Sequence, residues 1–149
     1  MGHPNSGKTT FSERFKNVLH LDDYPMSKFL NCNEAVRKTD GNVVVEGIYN
    51  FRCRRERLLE AVQGKPCRKV CYWIDTPYDL CLERERNGRQ RSGVVENSFV
   101  EPPTLDEGWD AIYIVRKESV MKITLEEGVE TTTETLEELT NGKGEDEDE

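Results

Sequence analysis

The stretch Gly2-His3-Pro4-Asn5-Ser6-Gly7-Lys8-Thr9-Thr10 constrains this chain more than any other. Gly2 to Thr9 satisfies G-x-x-x-x-G-K-[ST] at every defined position, the pattern of a loop whose consecutive backbone N–H groups wrap phosphate oxygens. Such a loop opens a helix, whose positive end adds to the attraction. Lys8 would then set a point charge against the phosphoryl group in transit, and the Thr9 hydroxyl would ligate magnesium. The expected ligands are ATP and magnesium, with all nine residues from Gly2 to Thr10 in contact with the nucleotide.

A loop of this kind ordinarily follows a buried apolar strand at the middle of a sheet. Only Met1 precedes Gly2 here. A sheet without its middle strand leaves a slot lined by unpaired backbone groups. Either the protein starts upstream of Met1 or another segment fills the slot, and the first is the expectation.

The remaining pattern alternates strand with helix. Phe11 and Phe15 stand at helical spacing within Thr9 to Lys16, and the apolar run Val18 to Leu21 predicts a strand ended by Asp22 and Asp23. Met26 to Lys38 reads as a helix, and Asp40-Gly41 as a turn. Val43 to Val45 has the β-branched character of a strand buried on both faces, and Arg52 to Val62 reads as a helix closed by Gly64 and Pro66. Val70 to Ile74 and Ala111 to Val115 predict two more strands, with a helix starting at Thr76-Pro77 between them. This order predicts an α/β fold: a doubly wound parallel sheet with helices on both faces, of the P-loop NTPase kind, lacking the usual first strand. Ligands of such sheets bind beyond the carboxyl ends of the strands, where Asp22, Glu46 and Asp75 fall.

Those carboxylates suggest the chemistry. Asp22, just past the second strand, is placed to orient an acceptor hydroxyl and take its proton as it attacks the γ-phosphate, with Asp23 beside it at the acceptor. Glu46 ends a buried strand in Glu-Gly, which packing alone does not require, and suits a magnesium-holding acid. Tyr49 and Asn50 are candidates to line the acceptor pocket. Within LERERNGRQRSG, Arg84, Arg86, Arg89 and Arg91 predict a lid that sets guanidinium groups against developing charge, with Arg84 and Arg86 the leading pair.

Composition sets the limits. The net charge of −8 is uneven: residues 118–149 hold 12 of the 29 acidic and 2 of the 21 basic residues, leaving residues 1–117 at net +2. A body so weakly basic suits phosphorylated ligands but not an extended nucleic-acid footprint. No apolar run is long enough to span a bilayer and no secretory signal follows Met1, so the expected setting is the cytoplasm, away from membranes. The five cysteines lack paired metal spacings and read as reduced, mostly buried thiols. One kinase domain over residues 1–117, a partly ordered extension over 118–141 and a disordered acidic tail over 142–149 are expected, with Ser119 to Leu125 as an added strand and Thr135 to Leu139 as a short helix.

Over residues 2–116 the chain resembles the small P-loop kinases grouped with the polynucleotide 5′-hydroxyl kinases. The likeness rests on GHPNSGKTT, LHLDDY, WIDTPYDLCLERER and FVEPPTLDEGWDAIYIV, the last being the most discriminating. It implies phosphate and magnesium roles for Lys8 and Thr9, a general base at Asp22, and a lid contact from Arg84 or Arg86. Two features depart from that group. Pro25 stands where its members place a basic residue after the acid motif, with Lys28 coming later, and VVVEGIYNF is instead similar to the uridine and nicotinamide riboside kinases. The implied acceptor is a nucleic-acid end or a nucleoside-type molecule, and a non-catalytic nucleotide-binding regulator is the third reading.

Overall fold

Val18–His20 (β1) and Val44–Glu46 (β2) form a parallel pair that sets Val18 beside Val44, Leu19 beside Val45 and His20 beside Glu46. Val70–Ile74 (β3) and Ala111–Val115 (β4) form a second parallel pair. Onto β4 folds Val120–Thr124 (β5), and onto β5 Gly128–Thr132 (β6), both antiparallel. The computed structural model describes residues 1–87, 93–95, 97–116, 120–124 and 128–132.

The chain is therefore mixed α/β, but its strands form two small sheets, one parallel and one mixed, where a single parallel sheet was expected. The antiparallel part follows from chain length. Only four residues, 116–119, separate β4 from β5. A parallel return needs a crossover of about a dozen residues, so the chain turns straight back. β5 falls on the strand expected at Ser119 to Leu125. The helix expected at Thr135 to Leu139 and the tail from Gly142 lie outside the described residues.

The described residues include four α-helices: Lys8–Ser12 (α1), ahead of β1, and Lys28–Lys38 (α2), Arg52–Ala61 (α3) and Tyr78–Arg86 (α4) between strands. α1 stops four residues short of the expected Lys16. Phe15 N–H bonds to the Ser12 carbonyl and Arg14 N–H to that of Phe11, tight turns that lead to Asn17 at φ 53° and so into β1. Phe11 and Phe15 are still both buried, against Ile74, Ala111, Tyr113 and Val115. The opposite side carries Leu21, Cys32 and Tyr49, packed with Leu19, Val45 and Leu58. Strand alternation divides β2 between them, Val44 to the first cluster and Val45 to the second. Cys32, Cys71 and Cys81 are buried as expected, whereas Cys53 and Cys67 are exposed. Among the described residues no helix is long and apolar enough to cross a membrane.

Between the two sheets runs a groove of about 750 Å³, lined by β2 and β3 at its sides and by Phe11, Phe15, Leu58, Leu59 and Trp109 above and below. Met1 enters it at one end. Its amino group donates to the Tyr72 carbonyl at 2.9 Å, and its carbonyl accepts from the Ile74 N–H at 2.9 Å. Burial above all, opposed by Cys71 and Glu46 and helped by Lys8 and Arg55, lowers the pKa of this amine from 8.0 to about 6. Below about pH 6 the folded chain carries the whole cost of a desolvated ammonium, and the cost is relieved as the pH rises towards 8. Urea unfolding of the 149-residue chain should therefore show stability rising between pH 6 and pH 8, by on the order of 1–3 kcal/mol. A flat profile across that window would contradict the burial of this amine.

Candidate active site

The glycine-rich loop is fixed at three points before it reaches α1. At its start the Asn50 side chain clasps Gly2: Gly2 N–H donates to Asn50 Oδ1 at 3.0 Å and Asn50 Nδ2 donates to the Gly2 carbonyl at 2.8 Å. Gly2 has to be glycine, with φ at 150° and the Ile74 carbonyl 2.6 Å from where a Cβ would sit. In its middle Thr76 Oγ1 donates to the Ser6 carbonyl at 2.6 Å, and Arg84 Nη1 donates to the Asn5 carbonyl at 2.6 Å. At its end Gly7 takes the left-handed conformation, φ 101°, and its carbonyl accepts the first α1 bond from Phe11. The His3 ring meets Tyr78 edge to face at 5.7 Å, and Lys8 Nζ donates to the His3 carbonyl at 2.9 Å.

A pocket of about 260 Å³ opens beside the loop. Gly7, Lys8, Thr9 and Thr10 line one wall, Glu46 and Gly47 another, and Asp22, Lys28 and Asn97 the rim. Three separate elements thus deliver charge to one space: the start of α1, the carboxyl end of β2, and the turn Leu21–Asp23 that follows β1. Gly47 lets β2 end this close to that turn, since a Cβ there would meet Leu21 Cβ at 2.5 Å.

Thr9 Oγ1 lies 3.3 Å from Glu46 Oε1, and the other Glu46 oxygen is 2.9 Å from His20 Nδ1. Two oxygen donors at this separation suit a small hard cation, whose adjacent octahedral ligands at about 2.1 Å stand about 3 Å apart. The donor set fits magnesium, and His20 orients the carboxylate from behind. Asp22 is half exposed, with Lys28 Nζ 3.5 Å away.

Several expected residues gather here and others do not. Pro4, Asn5, Gly7, Lys8, Thr9, Thr10, Asp22 and Glu46 share the pocket. Arg84 is held against the loop's outer carbonyl, while Arg86 is exposed at the end of α4. Arg89 and Arg91 lie outside the described residues. Tyr49 sits in the core, its hydroxyl donating to Asn33 Oδ1 at 3.0 Å, and burial pushes its phenol far above the usual range. Asn50 is 2% exposed and engaged with Gly2, so it braces the loop. Asp23 is exposed beside Asp22 and is not among the residues lining the pocket.

Comparison with known proteins adds nothing to this geometry. No protein-family model matches the sequence, and no curated protein matches it either. The site stands on its own residues.

His20, Lys28, Thr76 and Asn97 were not singled out as site residues. His20 was within reach of sequence reasoning, because strands ending in LH and in VE at matched register place His beside Glu. Lys28 reaches Asp22 only because Ser27, at φ 45°, turns the chain back before α2. That conformation leaves no signature in a serine.

Proposed function

We propose that this chain is an ATP- and magnesium-dependent kinase of the P-loop NTPase fold that transfers the γ-phosphate to a hydroxyl, the 5′-hydroxyl of a polynucleotide. One observation carries the reading: Lys8, Thr9, Glu46 and Asp22, drawn from three elements, line a single pocket at the carboxyl ends of β1 and β2.

In this mechanism the loop from Gly2 to Thr10 holds the triphosphate, braced by Asn50, Thr76 and Arg84. Lys8 stabilises charge on the phosphoryl oxygens as the bond to the leaving diphosphate lengthens. Thr9 and Glu46 would hold magnesium, which neutralises charge shared by the β- and γ-phosphates. Asp22 accepts the proton of the attacking hydroxyl. Lys28 takes the part of the basic residue that Pro25 does not supply and sits where a phosphate of the acceptor would approach. Arg84 adds positive charge at the loop.

A nucleoside-type acceptor is the second reading, favoured by the net +2 of residues 1–117, which offers little to a long polyanion. Competition separates the two: with labelled ATP, an excess of a 5′-hydroxyl oligonucleotide should suppress labelling of a nucleoside panel. Labelled nucleoside alone would decide for the second.

Replacing Asp22 by asparagine should lower kcat by about 10²- to 10⁴-fold with ATP affinity nearly unchanged, read by steady-state kinetics and nucleotide titration. Undiminished turnover would move the base to Asp23 or Glu46.

A further inference from the structure

We propose that Phe51 and Phe99 form a stacking platform for an unpaired base of the acceptor strand, with Lys28 and Arg54 beside it to meet the strand's phosphodiesters. This rests on the polynucleotide reading above and names the form of the acceptor, a single-stranded 5′ end.

Placement is the first ground. Three segments leave the wall of the pocket, at Lys28, Ile48 and Asn97. Phe51 follows Ile48 by three residues and Phe99 follows Asn97 by two, so neither Cα is more than about 11 Å from a wall residue. The last two segments converge, and the two phenyl rings meet at 5.7 Å with their planes 32° apart. Glu101 N–H donates to the Asn50 carbonyl at 2.8 Å and Arg52 N–H donates to Glu101 Oε1 at 3.0 Å, which pins both segments beside the rings. On the first segment Phe29, set edge to face on Tyr49 at 5.2 Å, carries the Arg54 guanidinium over its ring at 4.2 Å. Arg54 is one helical turn from Phe51, and Lys28 Nζ is 3.5 Å from Asp22. Aromatic and cationic side chains therefore run as one arc from the pocket rim at Asn97 to the rim at Asp22.

Exposure is the second ground. Phe51 is 47% and Phe99 59% exposed. Single exposed apolar side chains are ordinary, but two rings in contact that keep about half their surface in water gain little from burying each other. Phe51 also stands at the N-cap of α3 and makes no side-chain hydrogen bond there, where serine or aspartate would stabilise the helix more. The helix does not require this phenylalanine. Base stacking does use one, because every base has a π-face and a surface aromatic takes it whatever the sequence.

Charge selects the occupant. An apolar protein partner seated on the rings would have to desolvate the exposed Arg54 beside them. A nucleic-acid strand sets a base on the rings and a phosphate against Arg54 and Lys28, and so satisfies both. The base has to be unpaired, since within a duplex its faces are already stacked on its neighbours.

The test uses a short 5′-hydroxyl oligonucleotide with 2-aminopurine at its first or its second position, whose fluorescence falls on stacking. Bound to the parent with magnesium and a non-hydrolysable ATP analogue, the reporter should be quenched at one of the two positions. Phe51→Ala and Phe99→Ala should each weaken binding by about 5- to 100-fold and abolish the quenching. Phe99→Leu keeps an apolar side chain, so it should lose as much, whereas Phe99→Tyr should bind like the parent. Arg54→Gln should make log Kd less steeply dependent on log salt, by about 0.7. No quenching at either position in the parent would overturn the proposal. So would parental binding by Phe99→Leu, or equal binding of an end closed into a blunt duplex. Transfer of label from ATP, followed on the same samples, separates this from the kinase reading: transfer without quenching removes the platform alone, and quenching without transfer keeps the platform and removes the transferase chemistry.

Discussion

Lys8→Ala should reduce phosphoryl transfer at least about 10³-fold while leaving the fold intact. Lys8 is buried at the first position of α1, and its ammonium rests on the His3 carbonyl at 2.9 Å, inside the curl of the loop. That position keeps one positive charge beside the loop, where on the kinase reading a transferring phosphoryl group would gather negative charge. Alanine removes the charge and one hydrogen bond within the loop, but Asn50, Thr76 and Arg84 still fix the loop from outside. The loss should therefore fall mainly on kcat, with circular dichroism and thermal midpoint close to the parent's. Arginine at the same position should not restore activity, because a planar fork cannot fit where a compact ammonium is enclosed. Full turnover in Lys8→Ala would remove the loop from the chemistry.

Arg55→Ala should cost about 3–5 kcal/mol of folding stability, seen as a lower urea midpoint at unchanged slope. Arg55 is 1% exposed. Its guanidinium forks onto Glu107 at 2.7 and 3.0 Å, and also donates to the Tyr49 carbonyl at 2.9 Å and the Pro102 carbonyl at 3.4 Å. Glu107 in turn accepts from Trp109 Nε1 at 3.0 Å and from the Thr104 N–H at 3.1 Å. One buried pair thus ties α3, the segment after Tyr49 and the whole Glu101 to Trp109 run together. Removing the arginine leaves a buried carboxylate without its countercharge, held only by Trp109 and Thr104, and takes a donor from two carbonyls, which is the costly way to break such a pair. Burial alone would raise the Glu107 pKa, but Arg55 and Trp109 outweigh it and hold the carboxyl below its ordinary 4.5. A depressed carboxyl contributes stability above its unfolded value and loses it as the pH falls below about 4.5. The parent should accordingly weaken in that acid range, and Glu107→Gln should weaken less steeply there.

These two residues also show where sequence reasoning reached and where it stopped. Lys8 and Thr9 were picked out by the fixed spacing of the loop pattern, and Asp22 and Glu46 by their places at strand ends; the structure brings all four to one pocket. The strands β3 and β4 were legible to the residue, being unbroken apolar runs with no exposed position. Arg55 was not, since it stands among Arg52, Arg54 and Arg57 in a helix that looks basic and solvated throughout. Nothing local marks the one arginine that turns inward; its partner lies 52 residues away. The FVEPPTLDEGWD run was noticed for its likeness to kinases, and the physical reason for it is different. Thr104 and Glu107 form a reciprocal cap, Gly108 takes φ 123°, and Trp109 closes the core beneath Glu107. Tyr49 and Asn50 were placed near the acceptor by proximity to Glu46 in sequence, yet the chain turns after Gly47 and carries both into the interior. The groove between the two sheets is a property of three-dimensional packing that no local pattern marks.

The kinase reading rests most directly on one measurement: transfer of label from γ-labelled ATP, with magnesium, to a 5′-hydroxyl oligonucleotide by the parent and by Lys8→Ala. The expected result is label on the oligonucleotide 5′ end with the parent and none above background with the variant. ATP bound by the parent with no label passed to the oligonucleotide or to any nucleoside would contradict it, and would leave a nucleotide-binding protein without transferase chemistry.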